Sequence, residues 1–150
     1  MAGYRFAIVV SRFNEEITEG LLRGARERLA EASVPDDSVT IIHVPGAFEI
    51  PITAQRLGEG GDYDAIVCLG CLIKGDTMHF EYIADAASHG IMQAASATGV
   101  PMAFGVLTTL TEEQARERSR SGPDNKGREA AAAALEMANL FRKLDEAIGG

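Results

Sequence analysis

The sequence has 150 residues, the length of one ordinary domain, with no room for two independent cores. Lys and Arg total 14 against 22 Asp and Glu, and the resulting net charge of −8 lacks the footprint of a general nucleic-acid binder. With 46% apolar and 24% charged residues the composition is that of a folded protein, and folding at this length buries about 68–70% of the unfolded surface without a disulfide or metal staple. The only cysteines, Cys68 and Cys71, lie in one apolar run, which excludes a disulfide-framed secreted fold. The N-terminal stretch does not read as a signal peptide, and no apolar run reaches the ~18 residues of a membrane span. A single domain over residues 1–150, cytoplasmic and without membrane or nucleic-acid partners, is expected.

Tyr4 to Val10, YRFAIVV, is the first strand expected. After a break at Ser11 to Asn14, Ile17, Leu21, Ala25 and Leu29 recur every four residues, as one face of a helix requires. Val39 to Val44 is the second strand, cut off by Pro45-Gly46. A helix over Ile50 to Leu57 follows, stopped by the glycines of GEGGD. Ala65 to Leu72 is the third strand, and a polar loop at Lys74 to Met78 leads to a helix over His79 to Thr98. Pro101 to Leu107 is the fourth strand, and Thr111 and Gln114 have the spacing of a capping box. After a loop at Ser119 to Gly127, the last helix runs from Arg128 to Ile148 with Met137, Leu140, Phe141 and Leu144 as its stripe. Near-continuous apolar strands alternating with helices make the sheet parallel and covered on both faces.

Ligands of such folds lie outside the carboxyl ends of the strands. Four clusters fall there: Ser11 to Asn14, Pro45 to Glu49, Cys71 to His79 and Gly105 to Thr109. His79 can serve as a general acid or base, or simply bond its own loop at a helix start. Gly75-Asp76-Thr77 offers backbone N–H groups and a hydroxyl to an anion, although Asp76 opposes one unless it points away. Phe13 and Phe48 can stack on a planar heterocycle or tuck under a helix, and Glu49 can accept from ring N–H groups. Arg116, Arg118, Arg120, Lys126 and Arg128 surround the last loop; acidic neighbours pair with most, and one can clamp a phosphate. His43 reads as a core or interface residue and His89 as a surface one. Cys68-Leu69-Gly70-Cys71 lies in a strand, where residues three apart point to opposite faces, so it is neither a redox pair nor a zinc site. No phosphate-binding or dinucleotide glycine motif occurs. Cys68 is expected in the core and Cys71 in the site lining.

These clusters together resemble the lumazine synthase family. The resemblance is carried by VVSRFNEEIT at Val9 to Thr18, VPGAFEIP at Val44 to Pro51 and YDAIVCLGCLIKGDTMHFEY at Tyr63 to Tyr82. TGVPMAFGVLTT at Thr98 to Thr109 and NKGREAAAAALEMANL at Asn125 to Leu140 extend it over nearly the whole chain. It implies a flavodoxin-like three-layer α/β/α sandwich on a four-stranded parallel sheet, with active sites between subunits of a homopentamer. It also implies condensation of 5-amino-6-(D-ribitylamino)uracil with 3,4-dihydroxy-2-butanone 4-phosphate to 6,7-dimethyl-8-ribityllumazine, with no metal or organic cofactor. By position, Phe13 stacks on the pyrimidine, Ala47, Phe48 and Glu49 hold that ring and its ribityl chain, and Cys71, Leu72 and Ile73 line the pocket by backbone contacts. Phe104 comes from the neighbouring subunit. Asp76, Thr77 and Arg118 match the phosphate-binding positions, Lys126 the lysine near that phosphate, and His79 the proton donor.

Two departures stand out. Gly122 occupies a place where the family commonly carries a lysine near the phosphate, with Arg120 two residues earlier. The segment ahead of the first strand is short, whereas many relatives use a longer one to add a strand to a neighbour's sheet. A pentamer is therefore expected, and closure of twelve pentamers into an icosahedral shell stays open. Two other classes also stay open: a ligand-holding module that has lost the chemistry, and a generic flavodoxin-like FMN or signalling domain.

Overall fold

The computed structural model describes residues 1 and 3–149. Its strands are β1 (Phe6–Ser11), β2 (Val39–Val44), β3 (Ala65–Ile73) and β4 (Met102–Thr109), and its helices are α1 (Glu15–Glu31), α2 (Ile50–Glu59), α3 (His79–Thr98), α4 (Glu112–Ser119) and α5 (Lys126–Gly149). Short 3₁₀ turns at Asp36–Ser38 and Ala47–Glu49 precede β2 and α2. The sheet is parallel throughout, in the order β2-β1-β3-β4. The flavodoxin-like sandwich is thereby present, with the direction of winding reversing between β1 and β3.

Strand alternation divides the core into two layers. Phe6, Ile8 and Val10 of β1 and Val67, Leu69 and Cys71 of β3 pack against Leu21, Ala25 and Leu29 of α1 and the alanines of α5. Ala7 and Val9, with Ile66, Cys68 and Leu72, face Ile50 and Ala54 of α2 and Ala87 and Ile91 of α3. Every residue of β1 is buried, because this strand has a neighbour on both edges and helices on both faces. Each Val, Ile or Phe so enclosed contributes about 1.5–3 kcal/mol.

β2 and α3 begin and end as expected, the other expected boundaries shift by no more than two residues, and Ile17, Leu21, Ala25 and Leu29 are all buried. Pro101 stays outside β4 because it has no N–H, although its carbonyl accepts from the Ile66 amide. The face of α5 is the main correction. Its buried residues are Gly127, Ala130, Ala131, Ala134, Leu135 and Ala138, whereas Leu140 and Leu144 are exposed and Met137 and Phe141 half-buried. Small side chains are what the packing requires. A Cβ on Gly127 would lie 1.9 Å from the Leu21 carbonyl oxygen, so α5 starts hard against the backbone of α1. His43, read as a core or interface residue, is exposed on edge strand β2, with Nε2 3.3 Å from Glu19 Oε1. His89 is exposed, as expected.

Candidate active site

The ends of β1, β2 and β3 meet around one cavity of about 500 Å³. After β1, the Arg12 and Phe13 amides still bond the carbonyls of Val44 and Pro45, prolonging the ladder by two residues. Asn14 then turns the chain in the left-handed region (φ 62°), which asparagine tolerates better than most residues, and its Nδ2 donates to the Cys71 carbonyl at 3.0 Å. That turn leaves Phe13 exposed at the rim. The 3₁₀ turn after β2 sets Ala47, Phe48 and Glu49 on another wall, closed by Glu49 N–H to the Gly46 carbonyl. The end of β3 brings Leu72 and Ile73, and the loop beyond it brings Thr77 and His79.

His79 is the first residue of α3, with its imidazole exposed and its backbone N–H donating to Thr77 Oγ1 at 3.4 Å. Lys74 and Glu81 close the same loop from outside through a 3.0 Å ion pair. The bond from Lys74 holds the Glu81 carboxyl below the usual carboxylate range. Phe80 and Ile83, on the first turns of α3, complete the apolar wall; their spacing of three was readable as a helix face but did not say which way it pointed.

Five of the expected residues lie outside this cavity, and three of them line another. Arg118, at the end of α4, and Lys126, at the start of α5, line a separate cavity of about 370 Å³ beside Phe104 and the outer edge of β4. None of its lining residues belongs to the first cavity. A polar hollow of about 510 Å³ under the 119–125 loop shares Arg118, Lys126 and Glu129 with it and adds Arg120 and Gly122. Arg118 is half-buried, donates to the Gln114 carbonyl at 3.0 Å, and has no carboxylate partner among the described residues. Lys126 pairs with Glu129 at 2.8 Å and Arg116 with Glu112 at 2.8 Å, while Arg128 is held by Glu31 and Glu27.

Asp76 is exposed in the loop between Lys74 and Thr77 but does not line the cavity. Cys71 is also absent from the lining, because it is on the face of β3 turned toward α1 and α5. Burial pushes its thiol up to about 11 and that of Cys68 up to about 12. The two sulfurs face opposite layers, as strand geometry requires, and no group of three or more His, Cys, Asp or Glu residues among those described is arranged to hold a metal ion. Among the described residues no helix is long and apolar enough to cross a membrane. The arrangement thus offers an aromatic cleft with one imidazole, and a cationic cleft whose Arg118 guanidinium no carboxylate pairs among the described residues.

Residues 3–142 match the family model of 6,7-dimethyl-8-ribityllumazine synthase. A protein of that name from Salinibacter ruber is 52% identical over 143 residues, covering 95% of this chain and 92% of the relative. A 6,7-dimethyl-8-ribityllumazine synthase 1 from Caulobacter vibrioides is 52% identical over 142 residues, covering 95% and 93%. With a model spanning nearly every residue and relatives identical at half the aligned positions, the chain belongs to the 6,7-dimethyl-8-ribityllumazine synthase family.

Proposed function

We propose that the chain is a transferase of riboflavin biosynthesis. It condenses 5-amino-6-(D-ribitylamino)uracil with 3,4-dihydroxy-2-butanone 4-phosphate to 6,7-dimethyl-8-ribityllumazine, releasing phosphate and water. The observation that carries this reading is the gathering of Phe13, Phe48, Glu49, Thr77 and His79 around one cavity at the reversal point of the sheet.

The chemistry asks for few groups. The pyrimidine amine attacks the ketone and loses water to form an imine, phosphate leaves by elimination, the resulting enol tautomerises to a ketone, and the second amine attacks that carbonyl and loses a second water as the ring closes. Each stage moves protons, and an imidazole, which can both donate and accept one, suits all of them. In this reading Phe13 stacks on the pyrimidine, Phe48 and Ala47 flank it, and Glu49 accepts from its N–H groups or the ribityl hydroxyls. Leu72 and Ile73 form the floor. Cys71 contributes its backbone position only, with its carbonyl already bonded by Asn14. Thr77 and Asp76 sit at the phosphate end beside His79, which donates and accepts the protons. Arg118 and Lys126 hold the phosphate through charge-assisted bonds and stabilise it as a leaving group. Binding both substrates in register supplies much of the remaining acceleration.

Because Arg118, Lys126 and Phe104 line a cavity of their own, a second copy is needed to bring them to His79. Phe13, Phe48 and Phe104 are exposed on the two rims, which suits surfaces that a neighbour covers. A homopentamer in the cytoplasm, each interface joining one aromatic cleft to the next subunit's cationic cleft, accounts for both halves. Closure into an icosahedral shell is a further level of the same assembly.

Mixing the purified protein with both substrates and following the lumazine by absorbance tests this function. Turnover above a protein-free control is expected. Binding of the pyrimidine without turnover would make the chain a ligand-holding relative instead.

A further inference from the structure

The residue just before α5 is Asn125, a polar side chain only 2% exposed. Its Oδ1 accepts from the backbone N–H groups of Gly127 at 2.8 Å and Arg128 at 3.1 Å, which caps the helix. Capping needs nothing more. Yet its Nδ2 also lies 2.9 Å from the Ser119 carbonyl, 3.1 Å from that of Arg120 and 3.1 Å from that of Gly20 in α1. One amide therefore ties the end of α4 and the loop after it to the start of α5, using α1 as the anchor. The fit leaves no slack: a Cβ on Gly24 would fall 2.1 Å from Asn125 Oδ1.

The two joined points are the ones that carry the cations. Arg118 immediately precedes Ser119, and Lys126 immediately follows Asn125. A buried amide with both ends satisfied is a stiff link, and a planar cation grips an oxyanion well only when its position is fixed. We propose that Asn125 is a positioning residue for the anion subsite, setting the separation of Arg118 and Lys126 so that both reach one phosphate group. This rests on the assignment of those two cations to the phosphate of the butanone substrate. Asn125 itself touches no substrate and takes no part in proton transfer.

Asn125→Asp keeps the capping oxygen but turns three donor contacts into oxygen–oxygen repulsion. Its KM for the butanone phosphate should rise on the order of tenfold, as expected when a group is displaced by a fraction of an ångström, while the pyrimidine KM stays within about twofold. Inorganic phosphate should compete correspondingly more weakly. Asn125→Ser, which keeps a small donor and acceptor, should recover part of the loss. A role confined to folding would lower thermal stability and leave the ratio of the two KM values unchanged, and that result overturns the proposal. If neither variant accumulates folded, amide hydrogen exchange on the wild-type protein decides: inorganic phosphate should slow exchange at Gly127 and Arg128, and unchanged exchange at saturating phosphate overturns it. A wild-type protein that binds inorganic phosphate but shows no turnover would sink the proposed reaction alone. The effect of Asn125→Asp on phosphate affinity would then still decide the positioning role.

Discussion

The two cavities at the carboxyl end of the sheet differ in chemistry and in how they are built. The first is aromatic and apolar, drawn from short loops after β1, β2 and β3, and it contains the imidazole of His79. The second is cationic, lies between the outer edge of β4 and the helices α4 and α5, and contains no histidine. One wall is the second half of β4, Phe104 to Thr109, and the other is made by the end of α4 and the first turns of α5. In the proposed function the first cavity takes the heterocycle and the second the phosphate, so the reaction needs both.

Substitutions in each cavity should therefore fail differently. His79→Ala removes the proton carrier and should lower kcat by about a hundredfold or more, with little change in either KM. A fall of less than about fivefold would take His79 out of the chemistry. Arg118→Ala should act mainly on one substrate: losing charge-assisted bonds worth about 1.5–3 kcal/mol raises the KM for the butanone phosphate by about tenfold to a hundredfold. A matching rise for the pyrimidine would contradict the division of labour between the cavities.

Two further changes probe the scaffold of the cationic side alone. Gly127→Ala forces a Cβ to within 1.9 Å of the Leu21 carbonyl and should lower stability by about 1–3 kcal/mol in denaturant unfolding, as overpacking commonly does. The aromatic cleft should keep its pyrimidine affinity in whatever protein remains folded. Thr111→Ala removes one arm of the capping box of α4, in which Thr111 Oγ1 accepts from Gln114 N–H at 3.1 Å, and should cost about 1 kcal/mol in the same assay. A loss of pyrimidine affinity in either variant would contradict the independence of the two regions.

What the sequence disclosed follows the range of the forces involved. Local signals were readable: the period of α1, the Thr111–Gln114 capping box and the opposite facing of Cys68 and Cys71 all depend on neighbours a few residues away. The candidate site residues were legible as clusters after strands. Their distribution between two cavities was not, because it depends on strand order and helix layer. The long side chains of α5 suggested a stripe, but the contact with α1 selected the alanines, since only small residues permit that approach. An asparagine ahead of a Lys-Gly helix start is a local capping signal, whereas the bonds of Asn125 to Gly20 and Ser119 arise only once α1 and α4 are packed.

The claim that one complete site needs two copies can be tested by mixing two inactive chains. His79→Ala retains an intact cationic cleft, and Arg118→Ala an intact aromatic cleft. Co-refolded in equal amounts into closed head-to-tail rings, they should place both intact halves at about a quarter of the interfaces. Activity at low butanone phosphate well above that of either variant refolded alone is the predicted result. A mixture no more active than the average of its components would mean that His79 and Arg118 serve the same site from a single chain.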